Sequence, residues 1–148
     1  MGALERCSAA CLVRASKQER LENSTMNTLL QVSLVDDDES VRESLPELLK
    51  ELGYVVQTFS SADEFLASDG MLHSKCLILD VAMPGIGGPD LKRELERRNL
   101  NCPVIFITGE RDEGLRSRLI KEGAVDCLFK PFSDTALVHA MDLALKGK

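Results

Sequence analysis

The chain has 148 residues, 44% of them apolar and 28% charged, with a formal net charge of −6 at pH 7 and a pI near 5.0. That length suits one domain of roughly 100 to 150 residues with a short tail, and the acidic balance excludes the basic footprint of a protein that binds nucleic acid by itself. No apolar run approaches the ~18 residues of a membrane span, and Ala9-Ala10-Cys11-Leu12-Val13, flanked by Glu5, Arg6 and Arg14, is too brief for a signal peptide, so the expectation is a soluble cytoplasmic protein without a membrane partner.

Arg97, Arg98, Arg116 and Arg118 come nearest to a basic patch and read as a solvated helix face. The five cysteines, Cys7, Cys11, Cys76, Cys102 and Cys127, are odd in number and three lie in apolar runs, which points to reduced core thiols rather than a disulfide framework. Residues 1–29 are polar and mixed, with at most a short helix over 12–21. They read as a loosely ordered extension, dispensable for folding, ahead of a domain over 30–146.

From there strand-like and helix-like segments alternate, the signature of successive βα units and a doubly wound parallel sheet. Val32 to Val35 is apolar and ends in Asp36-Asp37-Asp38. A helix follows over 39–52, with Val41, Leu45, Leu48, Leu49 and Leu52 on one face, Gly53 as its stop, and a kink expected at Pro46. A second strand is expected over 54–59, then a capping box at Ser61-x-x-Glu64 that opens a short helix through Leu66. Cys76-Leu77-Ile78-Leu79 is a continuous apolar run of the kind buried on both faces of a parallel sheet, and it ends on Asp80. Pro89 opens a third helix carrying Leu91 and Leu95. A strand over 103–107 ends in Thr108-Gly109. A fourth helix over 112–121 turns Leu115, Leu119 and Ile120 inward. A fifth strand over 125–129 ends in Lys130-Pro131, and Phe132, Ala136, Ala140, Leu143 and Ala144 mark the last helix. The tally is five strands and five helices.

Parallel strands place Asp36 and Asp37, Asp80, Thr108 and Lys130 at one rim of the sheet, where open α/β folds carry their chemistry. Three acids converging there repel one another. A hard divalent cation such as Mg²⁺ removes the conflict, since it accepts one or two carboxylates and keeps waters for an incoming phosphate. Lys130 adds a point charge and Thr108 a hydroxyl, which together describe a phosphoryl-transfer site with an Asp nucleophile. Taken singly, the Asp triplet also suits a helix N-cap with solvated neighbours, Thr108 a strand end, and Lys130-Pro131 a surface turn. Their joint placement at four strand ends is what favours a site.

The runs Val35-Asp36-Asp37, Asp80-x-x-Met83-Pro84-Gly85, Ile107-Thr108-Gly109 and Lys130-Pro131-Phe132 resemble those of response-regulator receiver domains of two-component signalling. The likeness spans about 30–146. The Asp-Asp-Asp-Glu-Ser start and the Gly-Ala-Val-Asp stretch are similar to the FixJ-type subgroup. This resemblance implies the CheY-like, flavodoxin-like (βα)5 fold with strand order 2-1-3-4-5. It also implies Asp80 as phospho-acceptor, Asp37 as a direct Mg²⁺ ligand, Asp36 as a ligand through water, and the Ala82 backbone carbonyl as a further ligand. Lys130 would bind the phosphoryl oxygens, Thr108 would swing toward them, Gly109 would leave room for the donor, and the Lys130-Pro131 bond would be cis. Such domains commonly carry Phe or Tyr three residues before the lysine as a rotamer switch, and here that position is Cys127. FixJ-type regulators usually continue into a DNA-binding domain, whereas this sequence ends at Lys148, so a stand-alone receiver is the expectation.

The implied function is a phospho-acceptor, self-phosphorylating and self-dephosphorylating but not a turnover enzyme. It would take its phosphoryl group from a sensor histidine kinase or phosphotransfer protein and signal to a downstream protein, or to a second copy in a phosphorylation-dependent homodimer, through the fourth helix, fifth strand and fifth helix. Direct nucleic-acid contact is not expected. A phosphorylation-independent interaction module on the same fold is the alternative. An Asp-nucleophile phosphatase would need an Asp two residues after Asp80, where Ala82 stands, and an FMN-binding phosphate loop would not hold three carboxylates.

Overall fold

The computed structural model describes residues 30–146. The extension over 1–29, with its candidate helix and Cys7 and Cys11, lies outside the described residues. The elements, in chain order, are β1 (Gln31–Val35), α1 (Glu39–Glu51), β2 (Val55–Phe59), α2 (Ala62–Ala67), α3 (Gly70–His73), β3 (Cys76–Asp80), α4 (Gly88–Arg97), β4 (Val104–Thr108), α5 (Glu113–Lys121), β5 (Asp126–Phe129) and α6 (Asp134–Lys146). All neighbouring strands are parallel, in the order β2-β1-β3-β4-β5, as the resemblance implied.

Alternation along the central strands builds two cores. Leu77 and Leu79 face one side with Val35, Phe65, Leu91, Leu95, Phe106 and Leu119. Cys76 and Ile78 face the other with Val32, Leu34, Leu45, Leu49, Ile105, Ile107, Leu137 and Met141. Every residue of β3 and β4 is buried, which is why these runs read as unbroken apolar stretches rather than alternating ones. Full burial of each Leu, Ile or Phe contributes roughly 1.5–3 kcal/mol, so these strands form the rigid part of the domain. β2, at the sheet edge, buries only Phe59 among its five residues, and that ring meets Phe65 edge-on at 5.1 Å.

Local signals behave as their chemistry dictates. Asp38 caps α1 by accepting from Ser40 N, and Gly53 stops it at φ 98, a left-handed conformation that glycine adopts without penalty. α1 continues through Pro46, its lost hydrogen bond offset by Leu45 and Leu49, which bury into the sheet. At α2, Ser61 Oγ accepts from Glu64 N, while the Glu64 carboxylate reaches one residue further back, to Ser60 N at 2.6 Å. Hydrogen bonding from Ser60 holds the Glu64 carboxyl below its usual pKa.

Several expectations need correction. Six helices, not five, occur among the described residues, because Gly70–His73 forms an extra turn. Leu52, Ile120 and Leu143 are exposed rather than inward. In α6 the buried stripe is Leu137, Ala140, Met141 and Ala144, an i, i+3, i+4, i+7 set that leaves Leu143 off the face. Leu52 sits at the helix cap, past the last inward turn. No helix among the described residues is long and apolar enough to cross a membrane.

Candidate functional site

At the carboxyl rim of the sheet, β1 and β3 bring one carboxylate oxygen each from Asp36, Asp37 and Asp80 within 4.8 Å of one another. Asp36 and Asp80 are buried and Asp37 is exposed. Lys130, delivered from the end of β5, places Nζ 2.9 Å from Asp36 Oδ2 and 3.7 Å from Asp80 Oδ1. The Lys130-Pro131 peptide is cis. The ends of β1, β3 and β5 therefore meet at this rim.

Asp36 is the structural member of the trio. Its Oδ2 accepts from Lys130, its Oδ1 accepts from Asp38 N at 2.9 Å, and its backbone carbonyl accepts from Arg42 Nη1 at 2.8 Å. Arg42 was not singled out from the sequence, and its spacing of six residues carried no signal. Asp80 has the opposite character. Burial, and then the charge of Asp36, push its carboxyl up to about 7, against the opposing pull of Lys130. Burial alone would lower the Lys130 ammonium, but its hydrogen bond to Asp36 and the charges of Asp80 and Asp36 leave it above the ordinary value.

A carboxyl held near 7 beside two more acids is a site short of positive charge. The donor set is all oxygen, partly buried and open on the Asp37 side, which fits a hard divalent cation such as Mg²⁺ and gives nothing to a soft metal that seeks thiolate or imidazole.

Thr108 is buried at the end of β4. Its Oγ1 accepts from Glu110 N at 3.1 Å, and its carbonyl accepts from Lys130 N at 2.7 Å, so its hydroxyl hydrogen is left to donate while β4 and β5 stay tied beside it. Gly109 is exposed, and a Cβ built there would meet nothing within 4 Å. Ala82, also exposed, lies in the β3–α4 loop two residues after Asp80.

Gly88 is the first residue of α4, directly before Pro89. A Cβ there would collide with the Asp80 carbonyl oxygen and come within 3.0 Å of the Phe106 ring, so the start of α4 packs directly on the backbone of the acidic residue. Only the close approach of two chain segments reveals this. Gly88→Ala is expected to destabilise the domain by about 1–3 kcal/mol through overpacking, read from a denaturant midpoint.

Cys127 is buried against the α4–α5 side of the sheet, and burial pushes its thiol up to about 11. Beside it, a groove of about 340 Å³ opens between α5, β5 and α6, lined by Arg111, Arg116, Phe129 and Phe132 among others. A cysteine forgoes much of the ~150 to 250 Å² that an aromatic side chain can bury. Cys127→Phe is expected to enlarge the amide shift changes that beryllofluoride and Mg²⁺ produce on α5 and β5, and changes of equal size in both proteins would show that transmission does not depend on an aromatic here.

Arg116 does not belong to a solvated face. It reaches β5, donating from Nε to the Cys127 carbonyl at 3.1 Å and from Nη2 to Asp126 Oδ1 at 2.8 Å.

Comparison with known proteins agrees with this fold. Residues 32–142 match the response regulator receiver domain family. Nodulation protein W of Bradyrhizobium diazoefficiens is 46% identical over 110 residues, covering 74% of this chain and 48% of that protein. Response regulator protein TmoT of Ectopseudomonas mendocina is 43% identical over 115 residues, covering 78% and 52%. The chain thus spans about half the length of these curated relatives. Among solved structures, FixJ-N superposes with a TM-score of 0.73 at 36% identity, covering 83% of this chain and 98% of that one. With that match and the CheY-like strand order in place, the chain belongs to the response regulator receiver domain family of two-component signalling.

Proposed function

We propose that residues 30–146 act as a phospho-acceptor module, with Asp80 taking a phosphoryl group from the phospho-histidine of a sensor kinase or phosphotransfer protein. What supports this most is the setting of Asp80: a carboxyl raised to about 7 among acids, at a strand end, with the Lys130 ammonium 3.7 Å away.

In this reading a carboxylate oxygen of Asp80 forms the new P–O bond while the P–N bond of the donor breaks, and the departing imidazole nitrogen keeps the electron pair and takes up a proton. Asp37, Asp80 and the Ala82 carbonyl, with Asp36 acting through water, would hold Mg²⁺, which when bound would supply positive charge to balance the acids and the phosphoryl oxygens. Lys130 turns from Asp36 toward the phosphoryl oxygens, a short movement because its Nζ already lies between the two carboxylates. Thr108 donates its hydroxyl to the same group, and Gly109 leaves the approach open. Hydrolysis of the acyl phosphate returns the domain to its starting state, so the protein acts as a timed switch and not a turnover enzyme. The change of surface on α5, β5 and α6 carries the signal to a partner protein or a second copy.

Incubation with Mg²⁺ and acetyl phosphate tests the reading. One phosphoryl group should appear in the intact mass and decay with time. An unchanged mass, in a protein that is folded by circular dichroism, overturns it.

A further inference from the structure

α5 is thinly anchored. Of its nine residues only Leu119 is fully buried, with Leu115 packed against the same core in part. The strand beneath it is the sheet edge, and its central Cys127 is small. Apolar contact alone therefore ties α5 to β5 weakly.

A polar ring takes its place. Asp126 Oδ1 accepts from Arg116 Nη2 at 2.8 Å and from Cys127 N at 2.7 Å, while Arg116 Nε donates to the Cys127 carbonyl at 3.1 Å. Both backbone groups of Cys127 are thereby engaged by side chains, one from α5 and one from its own strand. The Asp126 side chain is only 11% exposed, so this fork is better shielded than an ordinary surface ion pair and holds a fixed geometry. A second arginine acts at the other end of the strand, where the Arg111 guanidinium stacks on Phe129 at 5.7 Å.

These contacts matter because of where α5 and β5 lead. Asp112 caps α5 four residues after Thr108, and Lys130 follows Phe129 directly. The helix and the strand are thus each continuous with one side of the acidic site.

We propose that Arg116 is a positioning residue that couples α5 to β5, so that a shift of the 108–112 segment moves the strand and α6 together with the helix. The inference rests on the function proposed above. Arg116 acts through Asp126 and the Cys127 carbonyl and touches none of the reacting groups.

The test uses the full chain, labelled with ¹⁵N, and adds Mg²⁺ and beryllofluoride. Amides of Val81 and Ala82 report occupancy of the site, and those of 126–129 and 134–146 report the distant face. In Arg116→Ala the site amides should shift as in the wild type, while the distant shifts fall by about half or more. Arg116→Lys keeps the charge beside Asp126 but cannot serve both acceptors as a fork, so it should fall between the two, and it carries the test if the alanine variant does not fold. Asp126→Asn combined with Arg116→Ala should lose no more than Arg116→Ala alone. A merely structural role would lower the melting temperature and leave the ratio of distant to local shifts at its wild-type value, which overturns the coupling. A wild type whose Val81 and Ala82 do not respond refutes the site reading itself, and the coupling with it.

Discussion

Asp80→Asn is expected to take up no phosphoryl group under conditions in which the wild type gains one, since an amide lacks the nucleophilic oxygen anion that forms the P–O bond. Intact-mass spectra showing equal labelling of the two proteins would sink the assignment. The same substitution carries a stability signature. In the folded state Asp80 keeps its proton up to about pH 7, while in the unfolded chain an Asp loses it near 3.9. The folded protein therefore binds more protons between these values, and its stability falls as pH rises through that window and levels off above it. Asparagine carries no such penalty. In metal-free buffer the variant's gain in melting temperature should grow from about pH 4 to about pH 7 and then stay constant, at on the order of 1–3 kcal/mol or roughly 2–8 °C. A gain that shrinks over this range would show that burial and Asp36 do not strain the Asp80 carboxylate. Mg²⁺ should raise the wild-type melting temperature and leave that of Asp80→Asn nearly unmoved.

Asp37→Asn is expected to weaken Mg²⁺ binding by about 10- to 100-fold, more than Asp36→Asn does, as measured by calorimetric titration. The two acids differ in what already engages them. Asp36 is buried, with one oxygen on Lys130 and the other on Asp38 N, so it suits a position one water away from the ion. Asp37 is exposed at the mouth of the cluster and suits direct ligation. Stability in metal-free buffer should rank the variants the other way. Asp36→Asn takes the carboxylate from the Lys130 ammonium, at a cost of about 1–3 kcal/mol, whereas Asp37→Asn relieves like-charge repulsion and leaves the melting temperature unchanged or slightly raised. If Asp36→Asn weakens Mg²⁺ more than Asp37→Asn, the roles are reversed.

Much of this was legible from residue order. Runs such as Cys76-Leu77-Ile78-Leu79 are apolar at every position only when both faces of a strand are covered, and each run ends on a polar residue where the chain leaves the sheet. Parallel pairing turns those endings into one rim, so the meeting of Asp36, Asp37, Asp80 and Lys130, with Thr108 at the end of the neighbouring strand, follows from a one-dimensional pattern. Helix caps at Asp38 and Ser61 were legible for the same reason, because their hydrogen bonds join residues two or three apart.

What the order of residues could not decide depends on groups far apart in the chain. The buried Asp36 carboxylate is paired with Lys130, 94 residues away, and the raised pKa of Asp80 comes from burial and a neighbour at the end of another strand. Gly88 is required by the approach of α4 to the Asp80 carbonyl. Arg116 read as one of several surface charges, and only the packing of α5 over β5 turned it toward Asp126 and Cys127. Periodicity specifies which face of an element is apolar, because hydrophobic burial is non-directional. Which polar groups meet across that packing is set by hydrogen bonds and charges, whose energies depend on distance and direction and exist only once the tertiary structure has brought the partners together.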